Sequence, residues 1–275
     1  MSGGAGVIGT VLSQALANAG AKVATWSRSQ ASIDKVLSKM SLPSDRLMGL
    51  KVDTGNESEV FYAVKQTAAT LGLPEILINA VGGNMDKSAF IDIDLDKFEK
   101  ILHLNIVAGL VVPTKIVTKF WIEKKIKDAI INLTSMTSYT PLSGVWAYNA
   151  AKSGVLRLTE ACANEFAGHG IRVNAIEPGF FIGKQNHALL IDAKTGELSD
   201  RGQAIIARTH FGRFGDPAEL AGTTFFLASS KASGSQAQIF RLYGITAKQR
   251  QTEYKKSDFF AIAGILTIHF VKLGC

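Results

Sequence analysis

Short apolar runs rich in Val, Ile and Leu recur along the chain at Lys22–Trp26, Leu47–Val52, Glu75–Asn79, Ala129–Thr134 and Ile171–Ile176. Between them, apolar residues repeat at helical spacing over residues 7–20, 30–40, 57–71, 94–122 and 148–168. Continuous apolar strands alternating with amphipathic helices predict a parallel sheet covered on both faces, since each crossover helix must lie over one face or the other. This is the doubly wound, Rossmann-like α/β class. No internal repeat or low-complexity linker interrupts the alternation, so residues 1–233 read as one domain. Both ends depart from that architecture. A glycine-rich turn begins at Ser2, directly after Met1, so the strand that would lead into it is expected to be missing. Past Ser233 the alternation stops, and residues 234–275 read as an atypical basic tail, either disordered or a product of a shifted reading frame. A chain altered at both ends is expected to be less stable than one with every strand in place.

Composition narrows the class. With 275 residues, 47% hydrophobic and 19% charged, the chain can bury a large core, which excludes disorder, collagen and coiled coil. Cys162 and Cys275 cannot staple a scaffold, and neither they nor the five histidines have metal-ligand spacing, so a reducing compartment and no metal are expected. The longest apolar run, Phe259–Ile268, is short of the roughly 20 residues that span a bilayer, and no signal peptide opens the chain; a cytoplasmic protein without a membrane partner is expected. The net charge of +7 is concentrated in residues 231–275, which hold seven Lys and Arg against two Asp and Glu. Lacking a basic helix face with interleaved aromatics, that tail gives no reason to expect nucleic acid as a partner.

Two constellations carry chemistry. Gly3, Gly6 and Gly9 precede an amphipathic helix, where glycines permit a tight turn and the helix N-terminus offers unpaired N–H groups to a pyrophosphate; an ordinary glycine turn is the alternative. Tyr148 and Lys152 stand four residues apart, hence on one helix face. An ammonium beside a phenol stabilises phenolate and draws its pKa from near 10 toward the working range of a proton relay. Ser135, at the end of the Ala129–Thr134 strand, lies at the carboxyl edge of the sheet, where ligands bind in this class. Asp53 could accept from an adenine amino group or cap its own turn. Ser27 and Arg28 follow the Lys22–Trp26 run, where an acid would hold the ribose hydroxyl of NAD and an arginine accommodates the 2′-phosphate of NADP.

Taken together, Ser2–Gly9, Asp53, Asn79-Ala80-Val81-Gly82, Asn105, Ser135, Tyr148, Lys152 and Pro178-Gly179 resemble the short-chain dehydrogenase/reductase family over about residues 2–233, and Gly179-Phe180-Phe181, Gln185-Asn186 and Gly212-Arg213-Phe214-Gly215 look like its bacterial mannonate oxidoreductase and fructuronate reductase branch. The resemblance implies that Tyr148 moves the proton, Ser135 polarises the carbonyl, Lys152 lowers the Tyr148 pKa and grips the nicotinamide ribose, and Asn105 sustains a water relay. It further implies cofactor contacts from Gly3, Gly6, Ile8, Gly9, Ser27, Arg28, Asp53, Asn79, Gly82, Tyr148, Lys152, Pro178 and Gly179. NADP is the expected cofactor, with NAD possible, and a homotetramer or homodimer the expected assembly. Val7 replaces the family's second turn glycine, and Gly183 stands where a threonine usually meets the nicotinamide carboxamide. Between Gly179 and Phe214 a polar insertion predicts a substrate lid. Asn84, Gln185 and Asn186 are candidates to bond substrate hydroxyls, or else merely close the lid. The expected activity is hydride transfer between NAD(P)(H) and a sugar acid such as fructuronate or mannonate. A 3-oxoacyl thioester reductase and an inactive or truncated relative are the alternatives.

Overall fold

The computed structural model describes residues 1–40, 45–182, 187–193 and 195–242. The chain runs α1 (Val7–Asn18), β1 (Val23–Ser27), α2 (Gln30–Leu37), β2 (Leu47–Lys51), α3 (Glu57–Leu71), β3 (Ile76–Asn79), α4 (Leu95–Leu102), a π-helix (His103–Val111), α5 (Val112–Lys124), β4 (Ala129–Leu133), α6 (Trp146–Phe166) and β5 (Arg172–Pro178). The short helices α7 (His187–Leu190) and α8 (Asp200–Ile206) follow, then α9 (Ala221–Ala228) and β6 (Ile239–Leu242). All strand pairs are parallel, β1 with β2 on one side and β3-β4-β5-β6 on the other.

The slot between β1 and β3 is held by Met1–Gly3. Trp26 N donates to Met1 O (2.9 Å) and Gly3 N to Trp26 O (3.0 Å) on one side; Ser2 N donates to Ile78 O (3.0 Å) and Ala80 N to Ser2 O (3.1 Å) on the other. Through these bonds the two parts form one sheet. At the other end, the boundary at residue 233 requires correction. Ile239–Leu242 pairs with β5 in the register Ala175↔Ile239 to Pro178↔Leu242, so part of the segment read as a tail belongs to the fold. Phe240 and Leu242 pack on the core beside Ile176 and Leu227, which explains why so short a run forms a strand. Residues 243–275, the remainder of that tail, lie outside the described residues.

Alternation along each strand divides the core. Ile130 and Val173 face α3, α5 and α6 with Val64, Val117 and Trp121, whereas Ile131 and Ile176 face α1 and α9 with Leu12 and Leu227. A buried polar seam crosses the middle. Ser2 Oγ donates to Asn79 Oδ1 (3.3 Å), Asn79 Nδ2 to Thr114 Oγ1 (3.0 Å) and Asn132 Oδ1 (2.9 Å), and Asn132 Nδ2 to Thr159 Oγ1 (2.9 Å). Helix Leu95–Lys124 is, by length and apolarity alone, able to cross a bilayer, but 56% of its most apolar window is buried inside the protein, the placement of a core helix.

Candidate active site

At the carboxyl edge of the sheet, β4 delivers Ser135 and α6 delivers Tyr148 and Lys152 to one point. Ser135 caps a short helix, its Oγ accepting from Thr137 N (3.3 Å), and its hydroxyl acts on the Tyr148 phenol, opposing the effect of burial on its pKa. Lys152, on the same face of α6 one turn later, is buried; its Nζ donates to Leu133 O (2.9 Å) and lies 5.8 Å from the centre of the Tyr148 ring. Burial acts on the two groups with opposite results. It raises the Tyr148 pKa above 10, only partly offset by the Ser135 hydroxyl, and lowers that of Lys152 to about 8, because in each case the charged form loses water. The expected lowering of the Tyr148 pKa by Lys152 is therefore corrected: the phenol is held protonated.

Asn105 completes the cluster from the π-helix. Its Nδ2 donates to Ile101 O (2.9 Å) and Gly83 O (2.8 Å), and its Oδ1 accepts from Gly83 N (3.1 Å). The wider π turn is the local device that lets this side chain reach back four residues and also across to the loop after β3. Gly82 is wedged there: a Cβ would lie 2.6 Å from Asn105 Oδ1 and 3.0 Å from Lys152 Nζ.

The glycine turn forms a second cradle beside it. Gly3 adopts φ +67°, and a Cβ on it would lie 2.6 Å from the Ala80 carbonyl carbon; a Cβ on Gly9 would strike Gly3 O. Gly6 is less constrained, with Gly3 O at 3.3 Å. Helix α1 begins at Gly6 without a side-chain cap, so its first amides face outward for an anion. Ile8 packs against the core cluster around Leu12 and offers only its backbone to this cradle. A backbone cradle at a helix N-terminus, continuous with the Gly82, Asn105 and Lys152 cluster, fits a dinucleotide. Ser27 Oγ accepts from Ser29 N (3.4 Å), while Arg28 is exposed and makes no ion pair among the described residues.

Three candidates land elsewhere. The Asp53 carboxylate caps its own turn by accepting from Gly55 N (2.9 Å). The Asn79 side chain is engaged in the buried seam, so a cofactor contact at this residue falls to its backbone. Asn84 turns inward: its Nδ2 donates to Asp86 O (2.6 Å) and its Oδ1 is buried in a cavity of about 10 Å³ bounded by Asp86, Gly144 and Trp146. Gly183, Gln185 and Asn186 lie outside the described residues. Pro178 and Gly179 end β5 beside the cluster, with Gly179 N donating to Leu242 O (2.8 Å). Sequence reasoning missed Glu177, buried on β5 with Oε1 3.3 Å from Arg241 Nε; burial raises its pKa to about 7. An acid directly after the apolar pair Ala175-Ile176 in a buried strand was the available signal.

A family model described as short chain dehydrogenase matches residues 1–190. Among curated proteins, the chain is 33% identical over 248 residues to an uncharacterized oxidoreductase, UxuB, of Bacillus subtilis, covering 85% of this chain and 88% of that one. It is 34% identical over 227 residues to a 2-dehydro-3-deoxy-D-gluconate 5-dehydrogenase of Formosa agariphila, covering 82% and 83%. Among solved structures, a putative D-mannonate oxidoreductase from Haemophilus influenzae with bound NAD superposes with a TM-score of 0.79 at 29% identity, covering 87% of this chain and 91% of that one. With the Ser135, Tyr148 and Lys152 cluster beside a glycine cradle, these matches show that the chain belongs to the short-chain dehydrogenase/reductase family and is an NAD(P)-dependent oxidoreductase.

Proposed function

We propose that the chain interconverts a ketone and a secondary alcohol on a sugar acid of the fructuronate or mannonate kind, with a preference for NADP(H). The observation that carries the reaction is the convergence of Ser135, at the end of β4, with Tyr148 and buried Lys152 on one face of α6. A bound nicotinamide cofactor supplies or accepts the hydride. The rest falls to side chains of this chain. Ser135 Oγ and Tyr148 Oη together offer two hydroxyls to one carbonyl oxygen, and stabilise the negative charge that develops there. Because burial keeps Tyr148 protonated, its O–H is ready to pass a proton to that oxygen, which suits the reductive direction near neutral pH. Lys152, still charged at neutral pH with a pKa of about 8, presents an ammonium beside Gly82 for a ribose hydroxyl.

The sugar-acid substrate is supported by the names of the Formosa and Haemophilus relatives. The NADP(H) preference rests on Arg28, exposed and without an ion pair at the end of β1, with no acid to repel a 2′-phosphate. A homotetramer or homodimer built on α5 and α6 belongs to the same proposal. Purified protein assayed against a panel of sugar acids, apolar ketones and 3-oxoacyl thioesters with both cofactors tests it. Turnover is expected to favour a sugar acid, and NADP(H) preference to fall in Arg28→Ala. Equal or better rates with an apolar ketone overturn the substrate. NAD(H) preference unchanged in Arg28→Ala removes that residue from cofactor choice.

A further inference from the structure

We infer that Arg241, held by Glu177 and Tyr139 at the carboxyl end of the sheet, anchors the carboxylate of an acidic substrate. Register partners Glu177 and Arg241 occupy the same face of the sheet. On β5 that is the face of Val173, which packs with Val117, Trp121 and Ala163 of α5 and α6; Ile176 points to the opposite side. Arg241 is thus on the side that carries Tyr148 and Lys152.

Its guanidinium is built into place. Arg241 lies 3.5 Å from the centre of the Tyr139 ring, and its Nε is 3.3 Å from Glu177 Oε1. Tyr139 belongs to the catalytic loop: Ser138 N donates to Ser135 O (2.9 Å), Tyr139 N to Met136 O (3.2 Å), and Ser153, next to Lys152, donates through Oγ to Ser138 O (3.4 Å). Glu177 is only 3% exposed whereas Arg241 is 53% exposed, so the pair has a buried root and an open tip. The ion pair engages Nε, and among the described residues no hydrogen bond from either Nη is present. That leaves the edge of the guanidinium that binds a carboxylate with two parallel hydrogen bonds. A surface arginine ordinarily loses much side-chain freedom on binding; one stacked on a ring and pinned by a buried acid has already lost it. Two strand spacings, roughly 10 Å, separate β4 from β6. A sugar-acid chain and the Arg241 side chain together cover that span from Ser135.

This inference rests on the sugar-acid proposal, and the experiment separates the two. With saturating preferred cofactor, kcat/KM is measured for an aldonate and for its primary amide, which has the same skeleton without the charge. Wild type is compared with Arg241→Gln, with Arg241→Lys, and with the double variant Arg241→Gln/Glu177→Gln, which leaves no unpaired buried acid behind. The acid-to-amide ratio is expected to fall about 10- to 100-fold in Arg241→Gln and in the double variant, chiefly through KM, with Arg241→Lys intermediate. In wild-type enzyme, malonate is expected to compete with the aldonate and malonamide not, a readout independent of how the variants fold. An unchanged ratio in a folded variant, or equal competition by malonate and malonamide, overturns the role of Arg241 while leaving sugar-acid turnover standing. A wild type that reduces apolar ketones but neither turns over nor binds aldonates overturns both.

Discussion

Tyr148 and Lys152 share a helix face, a turn apart, yet desolvation favours the protonated form of one and the deprotonated form of the other. On the proposed mechanism the phenol is the proton donor, and removing its hydroxyl while keeping its ring isolates that role. Tyr148→Phe is expected to reduce turnover on the order of 10²- to 10⁴-fold with cofactor affinity, followed by nicotinamide fluorescence, nearly unchanged. Retention of more than a tenth of the parent rate would remove Tyr148 from proton transfer. Glu177 provides a second residue-level expectation. Its folded pKa of about 7 lies above its ordinary 4.5, raised by burial against the opposing pull of Arg241. Protonation thus favours the folded state: the contribution is complete below pH 4.5 and is lost as pH rises through 7. Glu177→Gln, neutral throughout, has no such loss, so its melting temperature relative to wild type should climb between pH 5 and pH 8. A difference that stays flat across that range sinks the assignment. Ser135, Tyr148 and Lys152 were legible in the sequence because spacing along one helix and one strand end determines where they meet. The direction of the Tyr148 shift was not, since it depends on burial by residues distant in sequence.

At the scale of elements, the cofactor cradle depends on two glycines for different reasons. Gly3 needs its positive φ and its close approach to Ala80; Gly9 needs the space in which helix α1 passes over the turn. A Cβ at Gly9 would strike backbone, which cannot swing aside as a flexible side chain could. Gly9→Ala is therefore expected to weaken cofactor binding about tenfold or more, as overpacking of 1–3 kcal/mol shifts the turn. Gly6→Ala, meeting only Gly3 O at 3.3 Å, should have a much smaller effect. Titration of both variants with each cofactor checks the contrast, and equal losses would contradict it. Helix 94–122 illustrates what periodicity hides. Its apolar spacing predicted one helix, and one continuous helix spans Leu95–Lys124, but nothing in the pattern marks the π segment His103–Val111 that sets Asn105 against Gly83. Strand β6 escaped for a related reason: four residues are too few to show a period, and pairing with β5 holds them extended.

Across the whole molecule, the sheet has a seam where Met1–Gly3 joins β1 to β3 through few backbone bonds. Asn79 reinforces that seam with side-chain bonds. It accepts from Ser2, donates to Asn132 in the neighbouring strand, and donates to Thr114 on α5; Asn132 continues the chain to Thr159 on α6. Every polar atom of the Asn79 amide is thus engaged, and the residue is 2% exposed. Family resemblance alone suggested that it touches the cofactor; its place in the sheet makes it a joint between layers. The two roles predict different losses. Asn79→Ala strands the Thr114, Asn132 and Ser2 side chains in the core, where each buried group left unpaired costs about 1–3 kcal/mol. A net loss of about 3 kcal/mol is a large share of the 5–15 kcal/mol by which a domain is ordinarily stable, and lowers the melting temperature by about 6–12 °C. Cofactor affinity of the molecules that remain folded at low temperature should change little, because no side-chain atom of Asn79 is left to reach a ligand. Calorimetry and cofactor titration on the same sample decide the matter. A variant that melts with wild type but binds cofactor poorly would return Asn79 to the binding site and leave the seam to be held by backbone bonds alone.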